Sequence, residues 1–273
     1  MSYAARLRYE LSERNHVLAR RLGLDCDLSR GNPATVLYKP NAKAEQHGNF
    51  HDASYRAMMA NPEWHGRFNK THSHKKALPP CDHGWKELDS CNSSDALLMN
   101  VFCYPRLLES SEVRALMNLH EEATTQFGVK ARVPLKNGRT DQTEVDMRLG
   151  DLLVEAKLTE SGFQTKRAEI LERYRDFAEV FDESLLSRSE KGIQSYQLIR
   201  NVLAAYATGL RFCVILDARR PDLLESWHFI QRAIRVHGLR ERCLVLTWQE
   251  LSAVLPRALQ LFLAEKYGIA KHP

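Results

Sequence analysis

The stretch D141-Q-T-E-V-D-M-R-L-G-D-L-L-V-E-A-K-L158 decides how this 273-residue chain is read. Gly150-Asp151 is a glycine-first turn signal that suits a two-residue type II′ hairpin. If the chain turns there, facing residue numbers share one sum, that of 149 and 152. Leu149 then faces Leu152, Met147 faces Val154 and Val145 faces Ala156, which makes one wholly apolar face. On the other face Asp146 meets Glu155 and Glu144 meets Lys157. Both strands alternate under this one register, Leu153 excepted. A slip of one residue would turn every side chain over, so the agreement is demanding. Facing Cβ atoms lie ~5 Å apart, where like charges repel. The Asp146–Glu155 pair therefore calls for a compensating charge, and a divalent cation is the obvious candidate.

Working outward, residues 1–22 read as an amphipathic helix, with Leu7, Leu11, Val17, Leu18 and Leu22 among Arg and Glu. Residues 23–92 are punctuated by turn formers at Gly31-Asn32-Pro33, Pro40-Asn41, Asn61-Pro62 and Pro79-Pro80, with room for a short helix around Ala53–Ala60. Ser93-Ser94-Asp95 opens a helix that Pro105 stops. Ser110-Ser111 caps a second, predicted to run to about Phe127 and to end at Gly128. After the hairpin come helical stretches over about 166–181 and 193–208, the latter closed by Gly209. Arg211–Asp217 reads as a buried strand, Pro221 to about Val236 as a helix, Cys243–Thr247 as a strand and Gln249–Tyr267 as a final helix. The expected class is α/β (α+β), a mixed sheet flanked by helices. The change of composition near residue 92 suggests a basic, His-rich N-terminal extension over 1–92 and a core over 93–273.

Composition narrows the class. Hydrophobic content of 44% with 27% charged residues describes a globular chain with material for a large core, and no apolar run is long enough to span a bilayer. The start, M-S-Y-A-A-R-L-R-Y-E, lacks the apolar segment of a signal peptide. The six cysteines have no framework spacing, and Cys213 and Cys243 sit in apolar runs as reduced core residues do. A cytoplasmic location is expected. The net charge of +5 resides in residues 1–140, which hold 20 Lys and Arg against 15 Asp and Glu, whereas 141–273 balance at 19 each. Such a bias suits a polyanionic partner.

Asp146, eight residues, then Glu155-Ala156-Lys157 resembles the signature of the PD-(D/E)XK nuclease superfamily, the restriction-endonuclease-like fold. E-V-D matches its first element and V-E-A-K its second; no proline precedes Asp146. The superfamily core runs α-β-β-β-α-β, and the helix before the hairpin, the 193–208 helix and the Arg211–Asp217 strand fit that order, with the remaining core strand sought between Leu158 and Ile193. The resemblance implies a metal-dependent endonuclease that hydrolyses DNA phosphodiester bonds, leaving 5′-phosphate and 3′-hydroxyl ends. It also implies Asp146, Glu155 and Lys157 as catalytic residues, with the Ala156 carbonyl as a further metal ligand.

The chemistry suits those residue types on its own terms. Asp146 and Glu155 are hard oxygen ligands of the kind that hold Mg²⁺, or Mn²⁺, against substrate phosphate. Lys157 points to the same face, where it would orient or deprotonate a water and offset transition-state charge. Glu144 would pair with Lys157 or simply be a strand-edge charge. Gln197, Arg200 and Asn201 share one helix face at i, i+3 and i+4, positioned either to serve the site or to pack on the sheet. Glu112, Glu121 and Glu122 are candidates for an additional carboxylate. His72, His74, Cys81, His83 and Cys91 could in principle hold zinc, but no Cys-x-x-Cys pair occurs among them. Basic and aromatic residues interleave between Tyr55 and Lys76, as a phosphate-gripping surface or a merely solvated one would. The competing reading is an inactive nucleic-acid-binding or scaffold protein with the same fold; a zinc-held module at residues 65–91 is a third.

Overall fold

The computed structural model describes residues 1–41, 43–72, 78–81, 84–120 and 122–270. The chain forms two compact units: one of Met1–Glu121 with Trp248–Pro273, and one of Glu122–Thr247. The change of composition near residue 92 thus falls inside the first unit. Among the described residues no helix is long and apolar enough to cross a membrane.

The second unit is built on a five-stranded mixed sheet. Its strands are β1 (Thr125–Lys130), β2 (Glu144–Leu149), β3 (Leu152–Ala156), β4 (Arg211–Leu216) and β5 (Cys243–Thr247), in the order β5-β4-β3-β2-β1. β1, β2 and β3 form an antiparallel meander, and β4 and β5 continue parallel to β3. The hairpin register is the one the sequence dictates: Met147 faces Val154, Arg148 faces Leu153 and Leu149 faces Leu152. Gly150 takes φ 54° while Asp151 stays out of the left-handed region, the combination a II′ turn requires. Val145, Met147, Leu149, Leu152, Val154 and Ala156 are all fully buried.

Leu153 breaks the alternation because β3 is the central strand, buried on both faces. It packs into a cluster with Leu198, Val202 and Ala205 of the Tyr196–Thr208 helix. That helix ends at Gly209, which adopts the left-handed conformation a glycine enters most easily.

Three expectations are corrected. The helix begun at Ser111 ends at Met117, because Asn118 enters the left-handed region at φ 50°, and Thr125–Lys130 is β1 rather than helix. The missing core strand therefore precedes the hairpin instead of following it. Gly128 lies inside this strand with φ 63°, at the position opposite Asp146 that the pairing skips. The 166–181 stretch is cut into Ala168–Leu171 and Phe177–Val180, since the backbone around Tyr174 is drawn off to bond Pro134 and Lys136. Finally, Pro256 divides the last helix into Trp248–Ala253 and Arg257–Tyr267.

In the first unit the Tyr3–Leu22 helix is capped by Ser2 and closed by Gly23. It is bonded to the Arg257–Tyr267 helix, with the Asn15 amide donating to the Lys266 carbonyl at 3.0 Å. The Lys266 amine is fully buried. It donates to Asn15 Oδ1 at 2.9 Å and to the Gly48 carbonyl at 3.0 Å, and lies 3.8 Å from the Tyr38 ring centre. Burial pushes its pKa down to about 7 from 10.5. Between those values the unfolded chain binds more protons than the folded one, so stability should rise with pH. The urea midpoint is expected to climb from pH 7 to 8.5 in the wild type relative to Lys266→Met. Parallel midpoints in the two proteins would show that this amine titrates normally within the fold.

Candidate active site

The ladder between β2 and β3 reaches Met147–Val154 and then gives way. Beyond it, the Ala156 N–H donates at 2.9 Å to Asp146 Oδ2, so a side chain takes the place of a backbone acceptor. Residues 155–157 hence stay in register with β4 on one side, where the Lys157 N–H donates to the Ile215 carbonyl at 2.9 Å. On the other side they meet a carboxylate. The polar alternation of the hairpin sets these groups on the sheet face covered by the Tyr196–Thr208 helix.

Glu155 is only 1% exposed, and its carboxylate is held from three directions. Oε1 accepts from Lys157 Nζ at 2.7 Å and from Gln197 Nε2 at 3.1 Å; Oε2 accepts from Asn201 Nδ2 at 2.7 Å. A carboxylate offers about four acceptor positions, so roughly one remains. Asn201 is oriented in turn by Arg200, whose Nε and Nη2 donate to Asn201 Oδ1 at 3.1 and 2.8 Å. A guanidinium only donates, so the amide oxygen must face it and the amide nitrogen must face Glu155. Arg200 Nη2 also reaches the Glu144 carbonyl at 2.9 Å, which ties the helix to β2.

Lys157 is 5% exposed. Burial alone would push its ammonium toward neutrality, but Glu155, Asp146 and Glu160 outweigh that and raise its pKa above the usual lysine range. Its charge is thus held by carboxylates of both strands, and Phe163 lies with its ring centre 5.7 Å from Nζ. The 158–160 turn is clamped by Arg220, fully buried, which donates to the Leu158 and Glu160 carbonyls at 3.0 and 2.8 Å and forks onto Asp222.

The structure therefore gathers Asp146, Glu155 and Lys157, and it turns Gln197 and Asn201 onto Glu155. Glu144 is exposed and stands opposite Lys130 of β1. Glu112 is exposed in the first unit, accepting from the Ser110 and Ser111 hydroxyls at 2.9 and 3.0 Å. Glu122 is exposed, and Glu121, like His74 and His83 of the zinc reading, lies outside the described residues. Among the described residues no group of three or more His, Cys, Asp or Glu is assembled around a common point. Glu160 and Arg220 went unnoticed in the sequence. Glu160 belongs to a turn three residues past the lysine, and nothing in its spacing marks it; Arg220 is one of many arginines.

The family described as Restriction Endonuclease associating with ARP matches residues 30–268, and the chain belongs to it. Neither the comparison with curated proteins nor that with solved structures finds a match. A mixed sheet flanked by helices is compatible with a restriction-endonuclease-like fold, and the family ties the chain to restriction endonucleases.

Removing one member of a buried ion pair leaves the other uncompensated. Lys157→Met is accordingly expected to cost about 3 kcal/mol or more in urea unfolding. The double change Glu155→Gln with Lys157→Met should cost less than the sum of the two single changes. Additive losses would mean that the two charges do not support each other.

Proposed function

We propose that the chain is a metal-dependent deoxyribonuclease of the PD-(D/E)XK type, cutting DNA endonucleolytically, with Asp146 and Glu155 as metal ligands and Lys157 as the catalytic cation. The observation that carries this reading is a buried carboxylate and a buried ammonium at the centre of a sheet, beside a second carboxylate from the neighbouring strand. A fold has little reason to desolvate such groups unless they serve chemistry or are fully compensated.

The donor set fits Mg²⁺ or Mn²⁺. Two carboxylates and the Ala156 carbonyl are hard oxygen donors, too few for a closed cage but suited to an ion that keeps several waters. When bound, the ion would polarise a phosphoryl oxygen and lower the pKa of a water. The residues do the rest. With its pKa raised, Lys157 serves as an ammonium that orients the attacking water and offsets charge gathering on the phosphoryl oxygens. Gln197 and Asn201 fix the Glu155 carboxylate and keep it from rotating toward Lys157 alone. Asp146 keeps the Ala156 N–H while presenting its carboxylate to the same face.

The inactive-scaffold reading rests on a specific observation too: three donors already occupy Glu155. Purified protein incubated with duplex DNA separates the two. Cleavage is expected with Mg²⁺ or Mn²⁺ and none with EDTA. Asp146→Asn is the cleaner knock-out, because an amide oxygen still accepts from Ala156 while the ligand charge is gone. It is expected to lower cleavage by two orders of magnitude or more, on the order of losing a catalytic electrostatic group, with the fold retained by circular dichroism. Full activity in this variant would remove the mechanism.

A further inference from the structure

From Ala123 to Thr140 the chain contains no Asp or Glu but four cations, Lys130, Arg132, Lys136 and Arg139. The fold gathers them around one small hairpin. Val133–Pro134 pairs with Thr140–Asp141, and the Leu135 N–H bonds the Arg139 carbonyl at 2.8 Å. A fifth cation joins from elsewhere: the Lys136 N–H donates to the Arg173 carbonyl at 2.9 Å, and the Arg175 N–H to the Pro134 carbonyl at 3.1 Å. Lys130, Arg132, Lys136, Arg139 and Arg173 are all exposed, and none makes an ion pair among the described residues. In the first unit Arg14, Arg21, Lys39, Arg67 and Lys70 stand against carboxylates.

The patch also adjoins the carboxylates. Lys130 faces Glu144, two residues along β2 from Asp146 and so roughly 7 Å away along the strand. The Tyr174 hydroxyl, set between Arg173 and Arg175, donates to Asp141 at the foot of the hairpin and shares a 2.7 Å hydrogen bond with Tyr196, the residue before Gln197. Arg132, Lys136, Arg139 and Arg173 make no ion pair among the described residues and repel one another, and a polyanion relieves all four at once.

We infer that the 130–140 hairpin with Arg173 is the surface that grips the phosphate backbone of duplex DNA and leads it to Asp146 and Glu155. Its choice of DNA rests on the nuclease reading. Grip in the first unit, as the net charge alone suggests, is the alternative that the same experiment tests.

The probe is a fluorescein-labelled DNA duplex, titrated with the full chain in EDTA at several salt concentrations and read by anisotropy. Lys136→Ala/Arg139→Ala/Arg173→Ala is expected to bind roughly tenfold weaker or worse. It should also flatten the dependence of log K on log salt by about 0.9 for each phosphate that it no longer neutralises. With metal present, KM should rise while kcat holds. Arg6→Ala/Arg20→Ala on the N-terminal helix should bind as the wild type does. Equal affinity and slope in the triple variant, or a weakening confined to the Arg6/Arg20 variant, would overturn the assignment. Tighter binding of an RNA duplex would overturn its choice of DNA. A wild type that grips DNA in EDTA but never cuts it would remove the nuclease reading and leave this surface standing.

Discussion

The Glu155–Lys157 pair is the constraint around which the second unit is arranged. Two opposite charges at 2.7 Å in the middle of a sheet offset their missing hydration only if every remaining polar atom is satisfied. The solution draws on three elements. β3 and the residue that follows it supply both charges, two residues apart and therefore on one face. β2 supplies Asp146, and the Tyr196–Thr208 helix supplies Gln197 and Asn201. Arg200 then locks the Asn201 amide, so the last element cannot turn without breaking the first.

This explains why the helix meets the sheet with both apolar side chains and amides. Leu198, Val202 and Ala205 pack on Leu153 and its neighbours, and at the adjacent positions Gln197 and Asn201 the same helix lays amides against a carboxylate. The apolar packing gives binding energy to the layer. The amides fix its register, because a shift of one residue would leave a buried charge without partners.

How much of this was legible in the sequence varies by element. The hairpin was, because alternation over both strands admits one register, and the lone exception, Leu153, is what a central strand should show. The shared face of Gln197, Arg200 and Asn201 was legible as a face, but its target was not, since helix periodicity is silent about what lies opposite. β1 was misread. Phe127 continues the helical stripe of Val113 and Met117 only by accident of spacing, and Gly128 looks like a helix terminator. Only the pairing with β2 makes the segment a strand, and that interaction is long-range. Of the cations behind the N-terminal charge bias, four lie in the 130–140 hairpin, within the second unit.

The first unit is assembled from two separate lengths of chain, with residues 122–247 running out and back between them. The Asn15–Lys266 hydrogen bond joins positions 251 apart in sequence. During synthesis the sheet can thus close on itself as a continuous segment, while the Tyr3–Leu22 helix, whose Ala19 packs with Val36, Tyr38 and Cys91, gains its second partner only after that sheet. A nascent chain of this kind matures from its middle outward, and a ribosome that stalled before the Arg257–Tyr267 helix would strand the part that was made first.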